Sequence, residues 1–146
     1  MDGALDPGRS KMGFALGDRE LVFSAVLPAD RDDLLAEALR TGDFRPLAPY
    51  AREGAPPVLE GGWDGSLFVG DGTGSRELKA ALEGAGFSCR LVEERDSTLL
   101  ARAVYFRLHP PRGWRRLLPL SLLTPPRPVD DLAAWVLLLR GRGEDA

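Results

Sequence analysis

The chain has 146 residues, a formal charge of −3, 44% hydrophobic residues, one cysteine and one histidine. That length predicts a single domain over residues 1–141 with a disordered tail over 142–146. No apolar run approaches membrane-spanning length and no signal-peptide pattern opens the chain, so the expectation is a cytoplasmic protein without a membrane partner.

In chain order, Asp2–Asp6 reads as a short first strand, followed by the turn Pro7-Gly8 and a second strand over Gly13–Gly17. Proline presets φ and glycine accepts φ > 0, so Pro7-Gly8 suits a type II turn. Glu20–Leu27 is the third strand of an antiparallel meander. Asp30 then opens a helix over Arg31–Arg40, with Leu34, Leu35, Ala38 and Leu39 on its apolar face. From Asp43 to Gly65 proline and glycine dominate, which predicts a long connection holding one helical turn, anchored by Tyr50 and Trp63. Ser66–Asp71 is a fourth strand, Ser75–Gly84 a helix with Ser75 at its N-cap, and Phe87–Glu93 a fifth strand containing Cys89 as a buried residue. Asp96 or Ser97 caps a helix over Thr98–Leu108, whose apolar positions include Leu99, Leu100 and Val104. His109 follows as its C-cap. Residues 109–128 are proline-rich and basic, with Trp114 and Leu117-Leu118 expected to dock on the body, and Val129–Arg140 is a strongly apolar last helix. A meander followed by alternating strands and helices gives an α/β fold, a mixed sheet with helices on both faces.

The lone cysteine excludes an internal disulfide and a thiolate zinc site, and Cys/His or Ser/His chemistry has little to build on. Carboxylates are plentiful, and several stand at element ends: Asp6 after the first strand, Asp71 after the fourth, Glu93-Glu94 after the fifth, Asp130-Asp131 at the start of the last helix. Singly, each has a bland explanation as a turn residue, a solvated strand end or an acid favourable to a helix dipole. Together at one sheet edge they would repel one another, and a divalent cation would remove that cost. The basic residues separate from them: Arg107, Arg112, Arg115, Arg116 and Arg127 lie in a stretch without an acid. Overall acidity argues against non-specific nucleic-acid affinity, yet a local basic segment beside an acidic site suits a polyanion.

The pattern D-x-G-x-x-x-x-G-x-A, met by Asp6, Gly8, Gly13 and Ala15, is followed by Glu93-Glu94-Arg95-Asp96-Ser97-Thr98 and by Asp130-Asp131-Leu132-Ala133-Ala134. These residues resemble the RNase H-like nucleases of the RuvC and YqgF group, over nearly the whole chain. The resemblance implies a five-stranded mixed sheet ordered 3-2-1-4-5 and a two-metal phosphodiesterase using Mg²⁺ or Mn²⁺. Carried over, Asp6 matches the first-strand aspartate, Glu94 the glutamate after strand five of YqgF-type proteins, and Asp130 the last-helix aspartate. Asp71 stands where RuvC carries its second acid. The chain departs from the YqgF type in its basic first turn, in Val69-Gly70-Asp71-Gly72-Thr73 where Gly-Leu-Pro is common, and in its longer, more basic 107–127 segment.

The function implied is a structure-selective endonuclease, acting on branched DNA such as Holliday junctions or on structured precursor ribosomal RNA, as monomer or homodimer. Asp6, Glu94, Asp130 and Asp71 would be its catalytic and metal-binding residues, with Lys11, Arg112, Arg115, Arg116 and Arg127 on the substrate phosphates. Trp114 would either anchor the proline-rich loop, the reading expected here, or stack on a base. The alternative is a catalytically silent RNase H-like module that binds nucleic acid or a protein.

Overall fold

The computed structural model describes residues 1–144. Strands β1 (Asp2–Asp6), β2 (Lys11–Gly17) and β3 (Leu21–Pro28) form the antiparallel meander. Helix α1 (Asp32–Thr41) follows, then a 3-10 turn over Arg45–Tyr50 and the strand β4 (Ala51–Glu53). Next come β5 (Leu67–Gly70), α2 (Ser75–Gly84), β6 (Cys89–Val92), α3 (Ser97–Leu108) and α4 (Asp130–Gly141). The sheet is mixed and open, in the order β4-β3-β2-β1-β5-β6, with β1, β5 and β6 mutually parallel.

That sheet corrects the expectation of five strands ordered 3-2-1-4-5. A sixth strand, β4, pairs antiparallel with β3 at the edge, inside what was expected to be a long connection. Three residues without an alternating pattern give no strand signal. What holds β4 is tertiary: the Glu53 N–H donates to the Ser24 hydroxyl at 3.1 Å, and the Glu53 carboxylate is tied to residues far along the chain.

Two apolar cores lie on opposite faces of the sheet. Leu5, Met12, Phe14 and Leu16 point to one, where α1 and α2 supply Leu35, Leu39, Leu78 and Leu82. Ala4 and Ala15 point to the other, against α4, which α3 covers with Ala101 and Val104. Sandwiched between sheet and α3, α4 is buried continuously from Asp131 to Leu139, as a helix apolar all round must be. Because α3 packs chiefly on α4, its buried stripe is narrow, and Leu99, expected inside, is 63% exposed.

The first turn also differs from its expected form. Gly8 does not have a positive φ. Glycine is needed there because a Cβ would come within 2.7 Å of the Lys11 carbonyl oxygen, so the position demands close backbone approach and not the left-handed region. Residues 109–128 fold into short 3-10 turns over Gly113–Leu117 and Leu120–Leu122. Trp114 and Leu117 do not dock, at 69% and 80% exposed, whereas Leu118 is half-buried. The expected tail is anchored at its start, where Arg142 donates to the Asp18 carbonyl and lies 3.7 Å from the Asp2 carboxylate; residues 145–146 lie outside the described residues. Among the described residues no helix is long and apolar enough to cross a membrane.

Candidate active site

Because β1, β5 and β6 are parallel, their C-terminal ends open on one edge of the sheet, the usual place for ligands in such folds. Asp6 ends β1, opposite Gly13 of β2. The pairings Leu5↔Val69 and Gly70↔Val92 carry the turns after β5 and β6, and with them Asp71 and Glu94, to the same edge. From the second core, α4 delivers its first turn. A Cβ on Gly13 would run into the Asp130 carbonyl oxygen, so the second glycine of the first motif exists to let α4 start beside Asp6.

Glu94 is seated by glycines. A Cβ on Gly70 would lie 2.7 Å from Glu94 Cγ, and one on Gly72 would lie 2.8 Å from its Cδ. The strand end Val69-Gly70-Asp71-Gly72 thus forms a slot with no side chain where the Glu94 carboxyl must pass. The backbone after β6 is fixed as well: Asp71 Oδ1 accepts from the Glu94 N–H at 3.1 Å, and Arg140 Nη1 donates to the Glu93 carbonyl at 2.7 Å. Two residues on, Asp96 has φ 61°, the sole positive-φ non-glycine among the described residues, a local strain of the kind that collects at functional sites.

The result is an acid pair with a third acid beside it. Asp6 is partly buried, and its carboxyl is pushed up to about 8, first by burial, then by the charge of Glu94 and contact with its carboxyl, then by the charge of Asp130. Glu94 Oε1 is enclosed and has no hydrogen-bond partner. Contact between two carboxyls becomes a hydrogen bond only when one holds a proton, and burial together with repulsion keeps that proton on Asp6 at neutral pH. Asp130 Oδ2 lies 3.2 Å from Lys11 Nζ. Among the described residues no three His, Cys, Asp or Glu side chains converge into a ready-made metal cage, and the third carboxylate is paired with Lys11. The donor set nonetheless fits a hard cation: oxygen only, two facing carboxyls, an enclosed unpartnered Oε1 and a slot that no Cβ fills.

Of the residues expected to carry the chemistry, the fold therefore brings Asp6, Glu94 and Asp130 together. Asp71 reaches the same edge but is exposed, and its carboxylate ties down the Glu94 backbone. The expected phosphate contacts divide likewise. Arg112, Arg115 and Arg116 face solvent and make no ion pair among the described residues. Lys11 is paired with Asp130, and Arg127 is committed to a buried network.

That network is not visible in the sequence. Asp131, fully buried, accepts from the Ser24 hydroxyl at 2.6 Å and from Arg127 Nη1 at 2.8 Å, while Arg127 Nη2 reaches Glu53 Oε2 at 2.6 Å. Glu53 in turn meets His109 Nε2 at 2.8 Å, and the Arg127 guanidinium lies 5.4 Å from the Tyr105 ring centre. Burial works against the Arg127 charge, but the carboxylates of Asp131 and Glu53 more than restore it. The adjacent acids of α4 thus have opposite roles, Asp130 at the sheet edge and Asp131 clamping α4 to β3 and β4. His109 does occupy the C-cap position, its N–H on the Tyr105 carbonyl at 2.8 Å, with its ring serving Glu53.

Comparison of the chain with protein-family models, with curated proteins and with solved structures found no match.

Proposed function

We propose that this chain is a divalent-cation-dependent phosphodiesterase of the RNase H-like kind, a structure-selective endonuclease for branched DNA or structured precursor RNA. One observation carries the reading: Asp6 and Glu94, far apart in sequence, face each other at the C-terminal edge of the parallel strands with Asp130 beside them, and their charges and burial push Asp6 up to about 8. Such a cluster is costly to keep without a function, because buried like charges repel.

In this reading Asp6, Glu94 and Asp130 would hold Mg²⁺ or Mn²⁺, and Asp71 orients Glu94 through its backbone. The bound cation would supply Lewis acidity toward the phosphate and toward water. Asp6 gives up its proton when it becomes a ligand. Arg112, Arg115 and Arg116 steady the phosphates on either side of the bond to be cut, positioning the strand without reading its bases. The oxygen of water would bond phosphorus as the bond to the 3′ oxygen breaks, with one water proton released to solvent and one taken up from solvent by the 3′ oxygen, which gives a 5′-phosphate and a 3′-hydroxyl.

The test is a cleavage panel with Mg²⁺ or Mn²⁺ on a four-way junction, a flap, single-stranded DNA and structured RNA. Cutting of a branched or structured substrate supports the reading, and inertness on all four with either cation contradicts it. A silent binding module is the second reading, favoured by the Lys11–Asp130 pair, whose ammonium already neutralises one acid of the cluster. Binding without cutting in the same panel would select it.

Two expected results separate the parts. Glu94→Gln should lose Mn²⁺ binding and cleavage together, whereas Asp71→Ala should keep both at reduced levels, since it removes a backbone tether. Calorimetry beside a cleavage assay checks this, and equal losses would make Asp71 a ligand. Arg115→Ala with Arg116→Ala should weaken binding and flatten the log–log salt dependence by roughly 0.7–0.9 for each phosphate that is no longer neutralised. An unchanged slope by anisotropy across a salt series would move the binding face, with Arg9 and Lys11 as the next candidates.

A further inference from the structure

The segment between α3 and α4 builds a second surface. Trp114, Leu117 and Leu122 are 69%, 80% and 68% exposed, an amount of bare apolar area that a protein rarely leaves without an occupant. Arg112 and Arg115 line the same surface, no acid lies between Arg107 and Arg127 in the sequence, and neither arginine makes an ion pair among the described residues. Arg115 places its guanidinium 6.0 Å from the Trp114 ring centre. Between this arm and the end of α3 runs a groove of about 690 Å³, with Tyr105 and Phe106 on one wall and Arg112, Trp114, Arg115 and Leu122 on the other.

This groove adjoins a cavity on the acid side of the molecule. Its wall at Thr124 is shared with a smaller cavity of about 240 Å³ that is bounded by Thr98, Arg102 and Asp130. A chain lying in the groove passes Thr124, next to the cavity that Asp130 helps to bound. The open charges select an anionic occupant. An exposed indole beside a guanidinium is a stacking platform for a base, and a base inside a duplex, covered on both faces by its neighbours, cannot offer its face to it.

We infer that the groove takes a single-stranded stretch of nucleic acid, the unpaired arm that flanks the bond to be cut, with a base on Trp114 and its phosphates on Arg112 and Arg115. This deepens the nuclease reading by naming the structural feature selected, and its binding step stands apart from the chemistry.

The test uses the full chain in chelator, so that nothing is cut. A single-stranded oligonucleotide of about a dozen residues should quench tryptophan emission, and the quench should vanish in Trp114→Ala. Anisotropy should show Trp114→Ala weakening single-strand binding about tenfold, the scale of one base–aromatic stack, while a blunt duplex of the same length changes less than about twofold. Trp114→Phe, which keeps a ring, should recover most of the affinity. Absence of a quench, or equal losses for both oligonucleotides, overturns the inference. So does a dimer that Trp114→Ala dissociates with no effect on oligonucleotide binding, since a second copy would then be the occupant. A chain that quenches but never cuts keeps the groove and sinks the nuclease reading; one that cuts without a quench does the reverse.

Discussion

Asp6→Asn should abolish cation-dependent cleavage and, in metal-free buffer near pH 8, make the protein more stable. The amide removes the charge a cation needs and leaves a donor that can serve the unpartnered Oε1 of Glu94. The sign follows from the raised carboxyl. Asp6 releases its proton at about 8 when folded, against 3.8 for the free side chain. Between those values the folded chain holds a proton that the unfolded chain has lost, so the stability this group contributes falls as pH rises from about 4 to about 8, and is level outside that window. Near pH 4 Asp6 is neutral in the folded state and the substitution should change little. By pH 8 the variant should gain on the order of 3 kcal/mol, allowing for partial solvent access and relaxation of the pair. Urea denaturation at both pH values in chelator reads the difference. An equal effect at the two would mean that Asp6 titrates as an ordinary surface carboxyl.

The largest loss of stability is expected at Arg127, whose removal leaves Asp131 fully buried with only the Ser24 hydroxyl and Glu53 with only His109 and Ser24. Breaking a buried pair in this way costs about 3–5 kcal/mol, enough to lower the melting temperature by roughly 10 °C in a chain of this size. Arg127→Lys should recover only part, because one ammonium cannot reproduce the fork that bonds Asp131 through Nη1 and Glu53 through Nη2. Since Glu53 holds β4 on β3, amide exchange should quicken first in Ala51–Glu53. A drop of less than about 1 kcal/mol in Arg127→Ala would show that water replaces the guanidinium.

The readable and unreadable parts of this chain differ in where their causes lie. β1 to β3 announce themselves through local pattern, and so do the helices, because alternation and helical spacing are properties of a few neighbouring residues. The acids of the site are equally legible, standing at element ends where turns expose them. β4 is not, since three residues between prolines form a strand only because Ser24 and Arg127, both held by Asp131, bond Glu53 from far along the chain. The same distance hides the difference between Asp130 and Asp131, alike in sequence and opposite in role. Trp114 misleads because size and apolarity suggest burial, whereas the sheet face it would cover is already closed by α3 and α4. The glycines resemble turn residues in sequence, and their function is clearance: Gly13 for the start of α4, Gly70 and Gly72 for the carboxyl of Glu94.

The most direct measurement is a calorimetric titration of Mn²⁺ into the whole chain near pH 7, repeated in buffers of different ionisation enthalpy. Asp6 holds its proton until about 8, so a cation bound by Asp6 and Glu94 must displace it. The account predicts saturable binding with release of about one proton per chain, lost in Asp6→Asn. Absence of saturable binding, or binding whose proton release is the same in Asp6→Asn, would contradict it.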